Sequence, residues 1–272
     1  MGSGRWGWIV PDGLWEFVEP LLPPERVRPQ GGGTRNTPDE AVFAAIVYVL
    51  TSGCAWRHLP PCFGISKSTA HRRFLICSRA GVWARSHRAV LDQLAAADLL
   101  DLSRVLSDTA HLRAKKGGEH TGPSPVDRGR AGPGMHVLSD TNGLPLVVAV
   151  PGGNTHDSQG LKPLPAGLQS RHDPERGRHH RPGRIHADKA YDIPDLRRWM
   201  RGKRPAVRIG RKGVESSQRL GRQRWKIERT IALRVGHRRL SPRYERHSRN
   251  YLAFLGLAAA LVCYKRLHRL TT

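Results

Sequence analysis

Through the first hundred residues, apolar side chains recur every three or four positions, the period of helices that bury one face. Trp15, Phe17, Val18, Leu21 and Leu22 keep that spacing within Trp6 to Leu22, and Pro23-Pro24 stops it. A polar, glycine-rich connector runs from Glu25 to Asn36. Thr37-Pro38-Asp39-Glu40 then predicts a helix start, with Thr37 as cap, Pro38 in the first turn and Glu40 completing a capping box. Val42, Phe43, Ile46, Val49 and Leu50 form that helix's buried face, and Gly53 its stop. After a loop at Trp56 to Pro61 and a turn at Phe63-Gly64, Ser66 to Thr69 can cap a further helix through Ile76, with Phe74 and Leu75 facing inward. An Ala- and Leu-rich helix covers Trp83 to Leu100.

Near residue 101 the pattern changes to strands. Arg104 to Thr109 predicts one, and a basic Gly/Pro-rich loop follows from Lys115 to Pro133. Met135 to Asp140 and Leu144 to Val150 flank Thr141-Asn142-Gly143, and Asn-Gly between apolar runs is a strong hairpin signal. Beyond a helical or looped stretch to Ser170 lies Arg171 to Arg184, an exposed loop of Arg, His, Gly and Pro. A strand at Arg184 to Ala187, a helix from Pro194 to about Gly202, a strand at Ala206 to Ile209 and two C-terminal helices complete the chain. A hairpin followed by strands alternating with helices predicts a mixed α/β sheet behind an all-α first part, divided as residues 1–100 and 101–272.

Charge decides the class of partner. Lys and Arg number 46 against 22 Asp and Glu, a formal net charge of +24 in 272 residues. That field draws polyanions, and nucleic acid leads because phosphate neutralisation with counterion release gives affinity without sequence reading. No compact basic amphipathic helix marks a membrane surface, and the Tyr251 to Cys263 run falls short of the ~18 to 20 residues a span needs. Four scattered cysteines and no signal peptide suit a reduced cytoplasm. Cys54, His58 and Cys62 match no standard zinc module. Helix, connection and a helix opening on Ser, Thr, His and Arg give a helix-turn-helix outline. Lys67, Ser68, His71, Arg72 and Arg73 are then the candidates for contact with bases and phosphates, and an ordinary solvated helix is the plainer alternative.

Three acids could supply chemistry. Asp108 shares the strand parity of Leu106 and Ala110, so a carboxylate points where apolar residues point. Asp188 ends the run Ile185-His186-Ala187, where ligand sites of open α/β sheets gather. Glu228 lies four residues after Arg224 on a helix-like run. Taken singly, each has a plainer reading: a strand-end cap, an Asx turn, a surface ion pair. Together, two Asp and one Glu can bind hard divalent cations for phosphoryl transfer.

The chain resembles the DDE transposases of bacterial insertion sequences, of the insertion-sequence-five type, over nearly its whole length. In the first part the resemblance is carried by Glu19-Pro20-Leu21-Leu22-Pro23-Pro24, Gly53-Cys54-Ala55-Trp56-Arg57 and Gly81-Val82-Trp83. In the second it is carried by Thr121 to Arg130, Gly152-Gly153-Asn154, Ala187-Asp188, Tyr191-Asp192, Arg224-Trp225 and Glu228-Arg229-Thr230. It implies an RNase H-like catalytic domain with Asp108, Asp188 and Glu228 as catalytic metal ligands. Two Mg²⁺ (or Mn²⁺) ions are implied, bridged by Asp108, with Asp188 on one and Glu228 on the other. Arg224 would contact a DNA phosphate or orient Glu228, and Asn154, Asp157 and Tyr191 would support the site. The implied partners are the element's terminal inverted repeats and target DNA, with a homodimer on DNA in the bacterial cytoplasm. A nuclease that cuts without joining and an inactive DNA-binding remnant are the rivals. The sequence departs from its relatives at Gly221, at Val235 and in Gly132-Pro133-Gly134-Met135-His136, where they commonly read Gly-Ser-Lys-His-His.

Overall fold

The computed structural model describes residues 5–24, 37–111, 113–119, 122–123, 131–132, 134–150, 163–169, 172–173, 178–179, 181–187, 191–202, 206–209, 233 and 236–271. Four helices open the chain: α1 (Leu14–Val18), α2 (Asp39–Ser52), α3 (Lys67–Arg79) and α4 (Val82–Ala96). The predicted first helix is cut short. Gly13 takes a left-handed φ of 81° ahead of Leu14, and Pro20 tightens the end into a 3₁₀ turn over Glu19–Leu21.

The start of α2 corrects the capping-box expectation. Pro38 occupies the cap position in extended conformation with no side-chain cap, so Thr37 does not cap and Glu40 completes no box. The first turn is stabilised instead by its acids Asp39 and Glu40 against the helix dipole. Gly53 does end α2, at φ 72°, and a Cβ there would lie 2.8 Å from Cβ of Arg238. Burial extends nearly round α2, taking in Ala41, Ala44, Ala45 and Val47 beside the expected face. Helix α4 stops before Leu100 because Asp98 turns left-handed at φ 55° and Leu99 N–H returns to the Leu94 carbonyl at 2.8 Å.

Five strands form the sheet: β1 (Val105–His111), β2 (Gly134–Ser139), β3 (Pro145–Ala149), β4 (Arg184–Ala187) and β5 (Ala206–Ile209). Their order is β5-β4-β1-β2-β3. Strand β2 runs antiparallel to both β1 and β3, whereas β4 runs parallel to β1 and to β5. Three antiparallel strands followed by two parallel ones, the first returning beside β1, is the RNase H-like arrangement. The hairpin loop is closed by Asp140, which is fully buried and accepts from the Asn142 and Leu144 amides at 2.8 Å each. Helix α5 (Pro163–Gln169) precedes β4, and α6 (Pro194–Arg201) joins β4 to β5.

Helix α7 (Ser248–Thr271) holds the apolar run Tyr251 to Cys263 and packs against both α4 and β3, so helices and sheet share one core. No helix among the described residues is long and apolar enough to cross a membrane. A line of rings crosses that core from Trp15 through Phe43, Trp83 and Phe74 to Phe254, the last two stacked at 4.2 Å between centroids. The segment before α7 is fastened by buried charge. Arg239 and Glu245, 7% and 6% exposed, pair at 2.7 Å, and Arg239 also donates to the Cys54 carbonyl at 2.9 Å. Glu245→Ala should cost roughly 3–5 kcal/mol in urea unfolding, since it strands a buried guanidinium, and an Arg239→Met/Glu245→Leu double variant should cost less.

His237 makes a second measurable demand. It is buried, its Nδ1 is 3.0 Å from the Leu233 carbonyl oxygen, and burial holds its pKa below the ordinary 6.5. The unfolded chain therefore binds the extra proton first as pH falls. Its contribution is intact above about 6.5 and is lost progressively below that value. Urea unfolding from pH 7.5 to 5 should show a shallower acid loss in His237→Gln than in the parent chain.

Candidate active site and nucleic-acid face

Helix α3 begins where Ser66 accepts from the Thr69 amide at 3.1 Å, as expected of its polar start. Ala70, Phe74 and Cys77 turn inward, leaving Lys67, Ser68, His71 and Arg72 exposed along one side. Arg73 points elsewhere. It pairs with Asp39 of α2, the two side chains 12% and 21% exposed, and so fastens α3 to α2. His71 rests its ring against Trp56 at 5.1 Å, and burial, followed by the positive charge of Arg239, lowers its pKa. The connection from α2 to α3 is longer than the outline suggested and holds two 3₁₀ turns, Trp56–His58 and Pro61–Phe63. The tight connection is the next one, Ala80-Gly81 between α3 and α4, with Gly81 at φ 70°.

At the sheet, β1 and β4 keep the parallel register Val105↔Ile185, Leu106↔His186 and Ser107↔Ala187. Asp108 is the next residue of β1, half-buried and level with Val137 of β2, and its Oδ1 accepts from the Thr109 amide at 2.8 Å. Thr109 lies opposite His136 in the ladder, with Oγ1 to Nδ1 at 3.1 Å, and its hydroxyl also bonds to Tyr191 Oη. Tyr191, 2% exposed, stands just beyond β4. Asp192 pairs with Arg197 at 2.6 Å, and Arg197 donates to the Ile209 carbonyl at 2.9 Å. The carboxyl ends of β4 and β5 thus meet along one edge, level with the middle of β1, which runs on to His111; such carboxyl ends are where open α/β sheets hold ligands.

Of the acids singled out by sequence, Asp108 stands at that edge. Asp188 and Glu228 lie outside the described residues, as do Arg224, Asn154 and Asp157. Among the described residues no three His, Cys, Asp or Glu are grouped as a metal site. A site of three carboxylates would suit a hard divalent cation, and the parallel register brings two of the three supplying segments side by side. Sequence reasoning missed Thr109, His136 and Arg197. A histidine within the apolar run Met135 to Leu138 was the available signal, and the structure buries it fully.

Comparison with known proteins fixes the family. Residues 10–87 match the family described as "Putative transposase of IS4/5 family", and residues 102–263 match "Transposase DDE domain". A Burkholderia cepacia protein, "Putative transposase for insertion sequence element IS402", is 34% identical over 205 residues, covering 65% of this chain and 95% of its own. A second from that organism, "Insertion element IS402 uncharacterized 16.2 kDa protein", is 38% identical over 119 residues, 43% of this chain and 81% of its own. Among solved structures, a piggyBac transposase synaptic complex with hairpin DNA aligns at TM-score 0.48 and 9% identity over 96% of this chain and 74% of that one. The catalytic domain of Mos1 mariner transposase aligns at 0.30 and 12% over 68% and 92%. The fold assignment rests on strand order rather than on these alignments. By its fold the second part is an RNase H-like domain with an acid in the middle of its central strand. The chain belongs to the DDE transposases of insertion sequences, a family of DNA-processing enzymes.

The two neighbouring arginines of α3 should separate on substitution. Arg73→Ala should lower stability by about 1 kcal/mol in urea unfolding by breaking a part-buried charged hydrogen bond, whereas Arg72→Ala, on the exposed side, should leave stability unchanged.

Proposed function

We propose that this transposase binds the terminal inverted repeats of its own element through residues up to about 100. The remainder would cut the DNA ends and join the freed 3′-hydroxyl to a target phosphodiester. The observation that carries this reading is the parallel register ending at Ser107↔Ala187, one residue short of Asp108 on β1 and of Asp188 on β4. One further chain step is about 3.8 Å, so two of the three acids follow directly from adjacent, level positions.

Asp108, Asp188 and Glu228 would hold Mg²⁺ or Mn²⁺, two ions by family resemblance. Bound there, such ions help generate the attacking oxygen and stabilise the leaving one. The chain's own residues do the rest. Lys67, Ser68, His71 and Arg72 would meet the repeat DNA from the outer side of α3, and Arg224 would hold a phosphate or orient Glu228. Asn154, Asp157 and Tyr191 would support the acids, and the basic stretch Arg171 to Arg184 would lie along phosphates. Joining two ends calls for two copies on DNA, and the work belongs in the bacterial cytoplasm.

Labelled repeat ends incubated with Mg²⁺ and a target plasmid test the reading. Cleaved ends should become covalently attached to target. Cleavage without attachment would instead make the chain a nuclease. Asp188→Asn and Asp108→Asn should each cut cleavage by about a thousandfold, the equivalent of several kcal/mol of lost metal assistance, while repeat binding persists. Arg72→Ala should weaken repeat binding and lower its salt dependence by roughly one phosphate contact. Unchanged cleavage in Asp188→Asn would end the catalytic assignment.

A further inference from the structure

We infer that Tyr191, acting through Thr109 and His136, is a positioning residue that sets the spacing between Asp108 and Asp188. The inference rests on the metal-ligand reading above. Its starting point is a symmetry about Asp108. The residue before it, Ser107, is held level with Ala187 by the sheet ladder, and the residue after it, Thr109, is bonded to Tyr191 by a side-chain hydroxyl. Ala187 and Tyr191, the described residues on either side of 188–190, are therefore both tied to β1, on the two neighbours of Asp108.

Lengths show why the second fastening matters. Four chain steps from Ala187 to Tyr191 could reach about 14 Å, whereas Ser107 and Thr109 stand about 7 Å apart along an extended strand. The Tyr191 hydroxyl adds a second tie, to the residue that follows Asp108.

Strand geometry keeps this fastening clear of the acid it serves. Successive side chains of β1 alternate faces, so Thr109 and its cross-strand partner His136 lie on the face opposite Asp108. With the neutral imidazole accepting at Nδ1, Tyr191 donates to Thr109 and Thr109 donates to His136, which uses both hydroxyl protons. His136 is fully buried and Tyr191 nearly so, and a hydroxyl in such surroundings is costly to leave unpaired. The Tyr191 ring has little freedom to swing away, and Asp192 holds the next residue through Arg197 to the end of β5. Groups that orient metal ligands from behind commonly change metal affinity by ten- to a hundredfold when removed.

Mn²⁺ alone, titrated into the full-length chain and followed by electron paramagnetic resonance, reads the effect without DNA or turnover. Tyr191→Phe keeps the ring and removes the hydroxyl, and it should weaken Mn²⁺ binding about tenfold. Thr109→Val should weaken it by a similar factor. The double variant should be no weaker than either single one, because both break the same connection. Thr109→Ser, which keeps the hydroxyl, should restore binding to near the parent value. On repeat DNA, Tyr191→Phe should lower kcat with the affinity for DNA unchanged. Parent-like Mn²⁺ binding in Tyr191→Phe, alongside loss in Asp188→Asn, would overturn the inference and leave the acid assignment standing. Parent-like binding in Asp188→Asn would instead remove the acid assignment itself. If Tyr191→Phe fails to fold, the Thr109→Val and Thr109→Ser pair decides the matter by the same measurement.

Discussion

The parallel register between β1 and β4 is the constraint on which the rest of the structure depends. Val105 and Ile185, opposite one another, are wholly buried, and Leu106 and Ala187 nearly so. Slipping that pairing by one residue would turn every side chain of β4 to the other face, at the cost of apolar burial on both. Parallel strands also need a crossover, and α5 and α6 flank β4 with Leu164, Leu168, Leu196 and Met200 in the core. The sheet edge that carries Asp108 thus inherits its geometry from hydrophobic packing several residues away. Ligands for a metal need that kind of support, because their own charges repel before the ion arrives.

The helical part is built into the same core. Helix α7, the last element, lies against α4 and β3, and the ring line from Trp15 to Phe254 passes from the first helices into it. Arg239 and Glu245 add specificity to this packing. A buried ion pair is weak net stabilisation, but each partner left alone is strongly disfavoured, so the pair admits few alternative arrangements. Since Arg239 also reaches the Cys54 carbonyl, the segment entering α7 is tied to the end of α2. His71 of α3 lies within the electrostatic reach of the same two residues. The exposed side of α3 and the carboxylate edge of the sheet are therefore presented by one packed body.

Local chemistry made much of this readable from sequence. The strands at 184–187 and 206–209 fall where β-branched and apolar runs between Gly and Pro predicted them, and the helix opening at Pro194 does too. The hairpin followed from Asn142-Gly143, with Gly143 taking the left-handed φ of 82° that the turn requires. Failures came where a local rule met a competing one. Thr37 has the chemistry of a cap, yet Pro38 beside it starts the helix one residue later. At the candidate edge, Asp108 was readable from its parity with Leu106, which put a carboxylate on an apolar face. Its companions were hidden by distance: Thr109 meets His136 across 27 residues and Tyr191 across 82. Such contacts depend on register and strand order, which periodicity does not encode.

The middle of β1 shows where polar chemistry enters the sheet. Ser107, Asp108 and Thr109 place three polar side chains in succession within a strand whose preceding residues, Val105 and Leu106, are core. By packing alone that is a costly choice. The Ser107 hydroxyl is buried with no hydrogen-bond partner among the described residues, while Thr109 recovers its cost through His136 and Tyr191. Asp108 accepts from the Thr109 backbone amide. A sheet selected for stability alone would continue β1 in Val or Ile. The polar triplet disagrees with the fold at the level where β4 and β5 end, and such a local conflict is what functional sites commonly impose on a scaffold.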